Sequence, residues 1–282
     1  MDKHLTIGMA VYDDFDGVYF SIQALQIYHL GWLRDQVEFI VIDNNPASKR
    51  GIETKKFVES KVKNGRYFAY TDKQSTSVRN EIFKHARGKY VLCIDPHVMF
   101  DVNAISALLE YYHKNPDTKN LIQGPLLYDD LKSYSTHFDP VWRSSMYGIW
   151  GTNKEAYDKG EPFEIPMMGL GIFSCKKSEW QWFNERFTGF GAEEGYIHEK
   201  FRLAGGKCIC IPQLRWIHRF GRPDGVPYKN ILEDRIFNYF VGWLELKKDE
   251  NDPMIESIFK EFEQRIPRDK LQIIFENAKS VS

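Results

Sequence analysis

The run Lys89-Tyr90-Val91-Leu92-Cys93-Ile94-Asp95-Pro96-His97 decides how the rest of the chain is read. Its apolar, β-prone residues carry no helical stripe, which predicts a buried strand, and Pro96 ends it because proline has no N–H to give a central ladder. An acid and an imidazole two residues apart therefore stand at the carboxyl end of a strand, the edge at which open α/β sheets bind ligands. One oxygen donor plus one imidazole suits Mn²⁺ or Mg²⁺ better than structural zinc, and such an ion typically carries substrate phosphates. Taken alone, the plainer reading is an Asp95 that caps a turn beside a surface histidine.

At 282 residues, 43% hydrophobic and 15% aromatic, the chain can bury a sizeable core, as one large α/β domain or a domain with an appendage. A formal net charge of −1 predicts no broad attraction to nucleic acid or anionic membrane. Met1-Asp2-Lys3-His4-Leu5-Thr6 lacks the apolar core of a signal peptide, and no stretch approaches the roughly 18 apolar residues of a membrane span. A soluble, cytoplasmic protein is the expectation. Cys93, Cys175, Cys208 and Cys210 all fall in predicted strands without metal-type spacing and read as reduced core residues.

Leu5 to Tyr12 reads as a first strand, followed by Asp13-Asp14 and a helix with Val18, Ile22, Leu25 and Leu30 near helical spacing. Val37 to Ile42 is a second strand, stopping at Asp43-Asn44-Asn45-Pro46, where Asp43 by itself is a plain Asx turn. Arg66 to Tyr70 gives a short third strand, and Ser77 to Ala86 a helix that Gly88 terminates. This alternation predicts a mostly parallel, twisted sheet with right-handed crossovers, flanked by helices. Asp14, Asp43 and Asp95 would then converge on one crevice.

Four segments in this order, Val11-Tyr12-Asp13, Val41-Ile42-Asp43-Asn44, Arg79-Asn80 ahead of Ala86-Arg87-Gly88-Lys89-Tyr90, and Asp95-Pro96-His97, resemble a GT-A glycosyltransferase of the family 2 type. The resemblance implies a nucleotide diphosphate sugar as donor. It assigns Asp43 and the Tyr12 turn to the uracil-ribose end, Asp14 and Asn44 to donor binding, Arg79 to the neighbourhood of the nucleotide, and Asp95 to the metal. His97 departs from the family's usual Asp-x-Asp; polypeptide GalNAc-transferases share the Asp-x-His form.

A helix is expected within residues 101–120, after which Gln123 to Pro166 is rich in aromatics and turn formers without a clear period. Those aromatics suit core packing and, in part, an acceptor sugar. Gly169 and Gly171 within Met167 to Cys175 suggest close backbone approach to a ligand. Phe187-Thr188-Gly189-Phe190-Gly191-Ala192-Glu193-Glu194-Gly195-Tyr196 resembles the Gly-Gly-Glu-Asp loop of β4-galactosyltransferases, with Glu194 in place of the Asp. A carboxylate there can take the proton of an acceptor hydroxyl, with Glu193 orienting the acceptor; the competing role is to charge-stabilise the start of the following helix. By the same resemblance His218 is a third metal ligand, and Arg219, Arg222 and Tyr228 belong to a lid over the diphosphate.

The expected organisation is a catalytic domain over residues 1–230, with a nucleotide-sugar half (1–122) and an acceptor half (123–230). Residues 231–282 form a helical C-terminal extension, which packs on the domain or offers a surface for a homo-oligomer. The implied activity is Mn²⁺- or Mg²⁺-dependent transfer of a sugar, with a UDP-sugar preferred, to a saccharide hydroxyl. Inversion is favoured because Glu194 is ionisable where the GalNAc-transferases carry an amide. A hydroxylated base in DNA stays open as acceptor, as does a catalytically silent sugar-binding protein. A nucleotidyltransferase would need a Gly-rich phosphate loop after the first strand, and Tyr12 to Asp16 is not one.

Overall fold

The computed structural model describes residues 4–221 and 225–281. In its first half the strands are β1 (Leu5–Val11), β2 (Val37–Asp43), β3 (Gly65–Ala69), β4 (Tyr90–Ile94), β5 (Val98–Phe100), β6 (Leu121–Gln123) and β7 (Leu126–Leu127). The second half adds β8 (Tyr134–Ser135), β9 (His137–Arg143), β10 (Met146–Gly151), β11 (Phe163–Glu164), β12 (Ile172–Lys176), β13 (Cys208–Cys210) and β14 (Trp216–His218). Helices α1 (Phe15–Ala24), α2 (Lys49–Lys61), α3 (Arg79–His85), α4 (Ala104–Lys114), α5 (Lys154–Asp158) and α6 (Tyr196–Leu203) precede a C-terminal group, α7 (Leu232–Lys247), α8 (Pro253–Phe262) and α9 (Arg268–Lys279).

The large sheet has the order β11-β13-β6-β12-β4-β1-β2-β3. β3, β2, β1 and β4 are parallel, β12 runs antiparallel to β4 and β6, and β13 is parallel to β6. Every residue of β2 and β4 is buried, as parallel strands covered on both faces require. That is why those two segments read as unbroken apolar runs. The four cysteines are free and buried, as expected.

Two predicted helices are shorter than their patterns. The first is α-helical only to Ala24 and continues as a π-helical turn over Leu25–His29, while the helix expected within 101–120 is confined to Ala104–Lys114. Asn103, with φ of 66°, breaks the backbone just before α4. The aperiodic aromatic segment contains an antiparallel hairpin, β9–β10, with a register shift between Tyr147 and Ile149. No residue of either strand is fully buried, so the period-2 signal of a half-buried strand is blurred. Trp142 of this hairpin packs edge-on against Tyr239 of α7 and Phe262 of α8, which ties the C-terminal helices to the sheet domain. Among the described residues no helix is long and apolar enough to cross a membrane.

Candidate active site

A second, small sheet, ordered β5-β14-β7-β8, assembles the metal-type cluster. β14 runs antiparallel to β5 with His218 opposite Val98, and Arg219 N–H donates to the carbonyl of His97 at 3.2 Å. This register carries His218, 121 residues downstream in sequence, to the turn that follows β4. The ligating atoms of Asp95, His97 and His218 lie within 4.8 Å of one another, the one such cluster among the described residues. His97 Nε2 and His218 Nε2 are 3.0 Å apart, and His218 Nε2 is 3.3 Å from Asp95 Oδ2.

The donor set fits a divalent cation. Nδ1 of His97 is held 2.8 Å from Asp14 Oδ2, so the ring is oriented by a carboxylate and its Nε2 lone pair turns to the cluster, the usual arrangement behind a metal-bound imidazole. Two ligands at right angles on bonds of about 2.1 Å sit about 3.0 Å apart, which matches the Nε2 pair. Asp14 is thus behind the cluster, with its other oxygen accepting from Gly17 N–H to cap α1. Although burial opposes ionisation of Asp95, its His218 hydrogen bond and the Arg79 charge hold it well below the usual carboxylate range.

Arg79 links this cluster to the acidic loop. Its Nη2 donates to Asp95 Oδ1 at 3.1 Å and its Nη1 to Glu193 Oε1 at 3.2 Å, with the side chain almost wholly buried. It forms the framework between two carboxylates. The loop carrying Glu193 and Glu194 is backbone-strained: Ala192 sits at φ of 74°, and Gly195 at 73°, where a Cβ would also meet the Tyr147 ring at 2.9 Å. Oε2 of Glu193 is buried without a partner. The Glu194 carboxylate accepts from its own backbone N–H. Burial pushes both carboxyls up; Arg79 pulls Glu193 back, whereas Glu194, with the charge of Glu193 beside it, is pushed up to about 8.

Two residues that no motif flags set this loop in place. Asn238, fully buried on α7, accepts from Thr188 N–H at 2.8 Å and donates to the carbonyls of Thr188 at 2.7 Å and Gly191 at 3.1 Å. His198 on α6 is a buried imidazole held neutral, its pKa lowered to about 3 by burial and by Arg202. It pairs through Nε2 with Gln123 Oε1 at 2.8 Å, and its Nδ1 accepts from Gly195 N–H at 3.3 Å. The Asn238 contacts and the His198–Gln123 pair are tertiary, while His198 to Gly195 is the local cap of α6, so only a Gly-bounded acidic motif followed by an amphipathic helix could have pointed to their neighbourhood.

On the other side of the crevice Asp43 is buried, its oxygens accepting from Asn45 N–H and Tyr67 O–H, each at 2.8 Å. Asn44 donates to the carbonyls of Tyr70 and Lys73, so both residues shape the turn that follows β2. The Tyr228 ring lies between Tyr12, 6.3 Å away edge-on, and Phe190 of the acidic loop, 5.5 Å away, and so bridges the two halves. Arg219 reaches Asp14 Oδ1 at 3.5 Å. Arg222 lies outside the described residues.

Comparison with known proteins identifies the family and the fold. The model of the family described as glycosyl transferase family 2 matches residues 7–178. No curated protein sequence matches the chain. Among solved structures, GalNAc-T7 with UDP, GalNAc and Mn²⁺ superposes with a TM-score of 0.71 at 14% identity, over 99% of this chain and 55% of that one. The mannosyltransferase PcManGT of Pyrobaculum calidifontis, in complex with GDP-Man and Mn²⁺, gives 0.59 at 12% identity, over 100% and 75% of the two chains. TarS 1-349 of S. aureus, in complex with UDP-GlcNAc, gives 0.57 at 12%, over 98% and 79%. At such identities the likeness is one of fold, the GT-A fold, and the chain spans little more than half the length of the GalNAc-T7 chain.

Proposed function

Since the chain belongs to glycosyl transferase family 2, and is a glycosyltransferase of the GT-A type, we propose that it moves a sugar from a UDP-sugar to a hydroxyl of a saccharide acceptor with inversion at the anomeric carbon. Asp95, His97 and His218 would hold Mn²⁺, which when bound supplies positive charge to the diphosphate leaving group. Asp14 keeps the His97 ring turned to that position, and Arg79 fixes Asp95 relative to the acidic loop. Glu194 takes the proton of the acceptor hydroxyl as its oxygen bonds to the anomeric carbon and the bond to the diphosphate breaks on the opposite face. Its raised pKa suits a base working near neutral pH. Arg219 and Tyr228 border the crevice where the diphosphate would lie and can donate to its oxygens.

The observation that carries this reading is the double contact of Arg79, which holds a carboxylate of the metal-type cluster and one of the acidic loop on a single guanidinium. The test is nucleotide release from UDP-, GDP- and dTDP-sugars, with and without Mn²⁺, followed by NMR of the product's anomeric configuration once an acceptor is found. Mn²⁺-dependent release from a UDP-sugar supports the donor reading. Retention of configuration would overturn the role given to Glu194.

A further inference from the structure

Beside the acidic loop lies a cavity of about 280 Å³ that none of the preceding roles uses. Its wall includes Tyr147 of β10, Gly195, Glu199 and Arg202 of the loop and α6, and Trp243 and Lys247 of α7. Gly195 directly follows Glu194, so the cavity and the candidate base share one strained turn.

Its chemistry is specific. The Tyr147 and Trp243 rings meet 5.9 Å apart at 83°, giving two apolar walls at nearly a right angle. The indole N–H of Trp243 is buried without a partner, although such groups usually find one when buried, and the Tyr147 hydroxyl makes no hydrogen bond to a described residue. The lining carries two acids, Glu199 and Asp252, against two bases, Arg202 and Lys247: Glu199 lies 2.9 Å from Arg202 Nε and 3.5 Å from Lys247 Nζ, and the Lys247 ammonium stands 5.6 Å over the Trp243 ring. A charged ligand would have to break these pairs. A neutral ligand with apolar C–H faces and many hydroxyls would use the ring walls and the Tyr147 hydroxyl together, with the buried Trp243 indole N–H as a neighbouring reporter, and the volume lies just under the roughly 300–1,000 Å³ of sites for drug-sized ligands. That description is a sugar ring.

We propose that this cavity is a saccharide subsite that holds a neutral sugar residue of the acceptor chain away from the accepting hydroxyl, so that the acceptor is an oligosaccharide; this rests on the glycosyltransferase reading of the site. Occupancy would press on Gly195 and so reach the Glu194 turn.

The test uses the full chain with ¹⁵N-labelled tryptophan, the Trp243 indole signal being assigned by its loss in Trp243→Phe. The probes are neutral gluco-, manno-, galacto- and N-acetylglucosamine oligosaccharides of one to four residues. One series should shift that signal, with affinity rising roughly tenfold or more from mono- to trisaccharide. Arg202→Ala and Tyr147→Phe should each weaken binding severalfold while acceptor-free, Mn²⁺-dependent nucleotide release stays at the wild-type rate. Silence of the indole signal with every series, or unchanged affinity in both variants, overturns the subsite. If wild type binds no UDP-, GDP- or dTDP-sugar by calorimetry, with or without Mn²⁺, the glycosyltransfer reading fails instead, and the indole titration still decides whether the cavity binds sugar.

Discussion

Arg79 Nη1 lies 3.2 Å from Glu193 Oε1, across 114 residues of sequence, and the other arm of the same guanidinium holds Asp95. Two buried carboxylates therefore depend on one cation. Burial opposes its charge, but Asp95 and Glu193 raise its pKa well above the ordinary arginine value.

Arg79→Met should be strongly destabilising. It leaves Asp95 and Glu193 without their shared counter-charge in a desolvated site, a loss of about 3–5 kcal/mol at neutral pH by urea unfolding. A change below about 1 kcal/mol would mean that water reaches the pair freely.

Glu194→Gln should lower kcat by about 10²–10⁴-fold, the worth of a positioned base, and leave UDP affinity unchanged. Because Glu194 must be ionised to accept a proton and its pKa is pushed up to about 8, wild-type kcat/KM should rise with pH and level off above about 8. The stability sign is opposite. A carboxyl whose folded pKa is raised favours the fold when protonated, so wild type should lose stability relative to Glu194→Gln as pH rises from 4.5 to about 8. A kcat/KM profile flat through this range would remove Glu194 as the base.

Asp14→Asn keeps an α1 cap, since asparagine caps as well as aspartate, but removes the charge that orients His97. Mn²⁺ affinity should fall about 10–100-fold with little change in Tm. Spin-resonance titration of Mn²⁺ reads the first and calorimetry the second; unaltered Mn²⁺ affinity would detach Asp14 from the cluster.

Asn238→Ala orphans the Thr188 N–H and the Thr188 and Gly191 carbonyls inside the protein. A loss of at least about 1–3 kcal/mol is expected, with kcat falling more than the donor KM rises. Asn238→Asp should not rescue it, because a carboxylate accepts from Thr188 but faces two carbonyls it cannot donate to. Equal stability of all three proteins would show that the loop holds itself.

What could be read from the sequence was local. The strand ending in Asp95, the turn at Asp43-Asn44 and the Gly-bounded Glu193-Glu194 pair each announce themselves within about ten residues, through apolar runs and turn formers. The parallel sheet followed from the order of those strands. What was not legible depends on register and packing across long separations. Nothing near Asp14 says that it backs His97, and nothing near Asn238 says that it clamps a loop 50 residues earlier. The β9–β10 hairpin stayed hidden because its aromatics lie on a ribbon with neither face fully buried. Its Trp142 and Tyr147 gain meaning only when Tyr239 and Trp243 of α7 are set against them.

The most direct measurement is calorimetric titration of UDP into wild type and Asp95→Asn, each with Mn²⁺ and with chelator. Wild type should bind UDP tightly only with Mn²⁺, and a folded Asp95→Asn protein should lose that Mn²⁺-dependent increment. Equal Mn²⁺-dependent affinity in the two folded proteins would contradict the metal cluster on which the account rests.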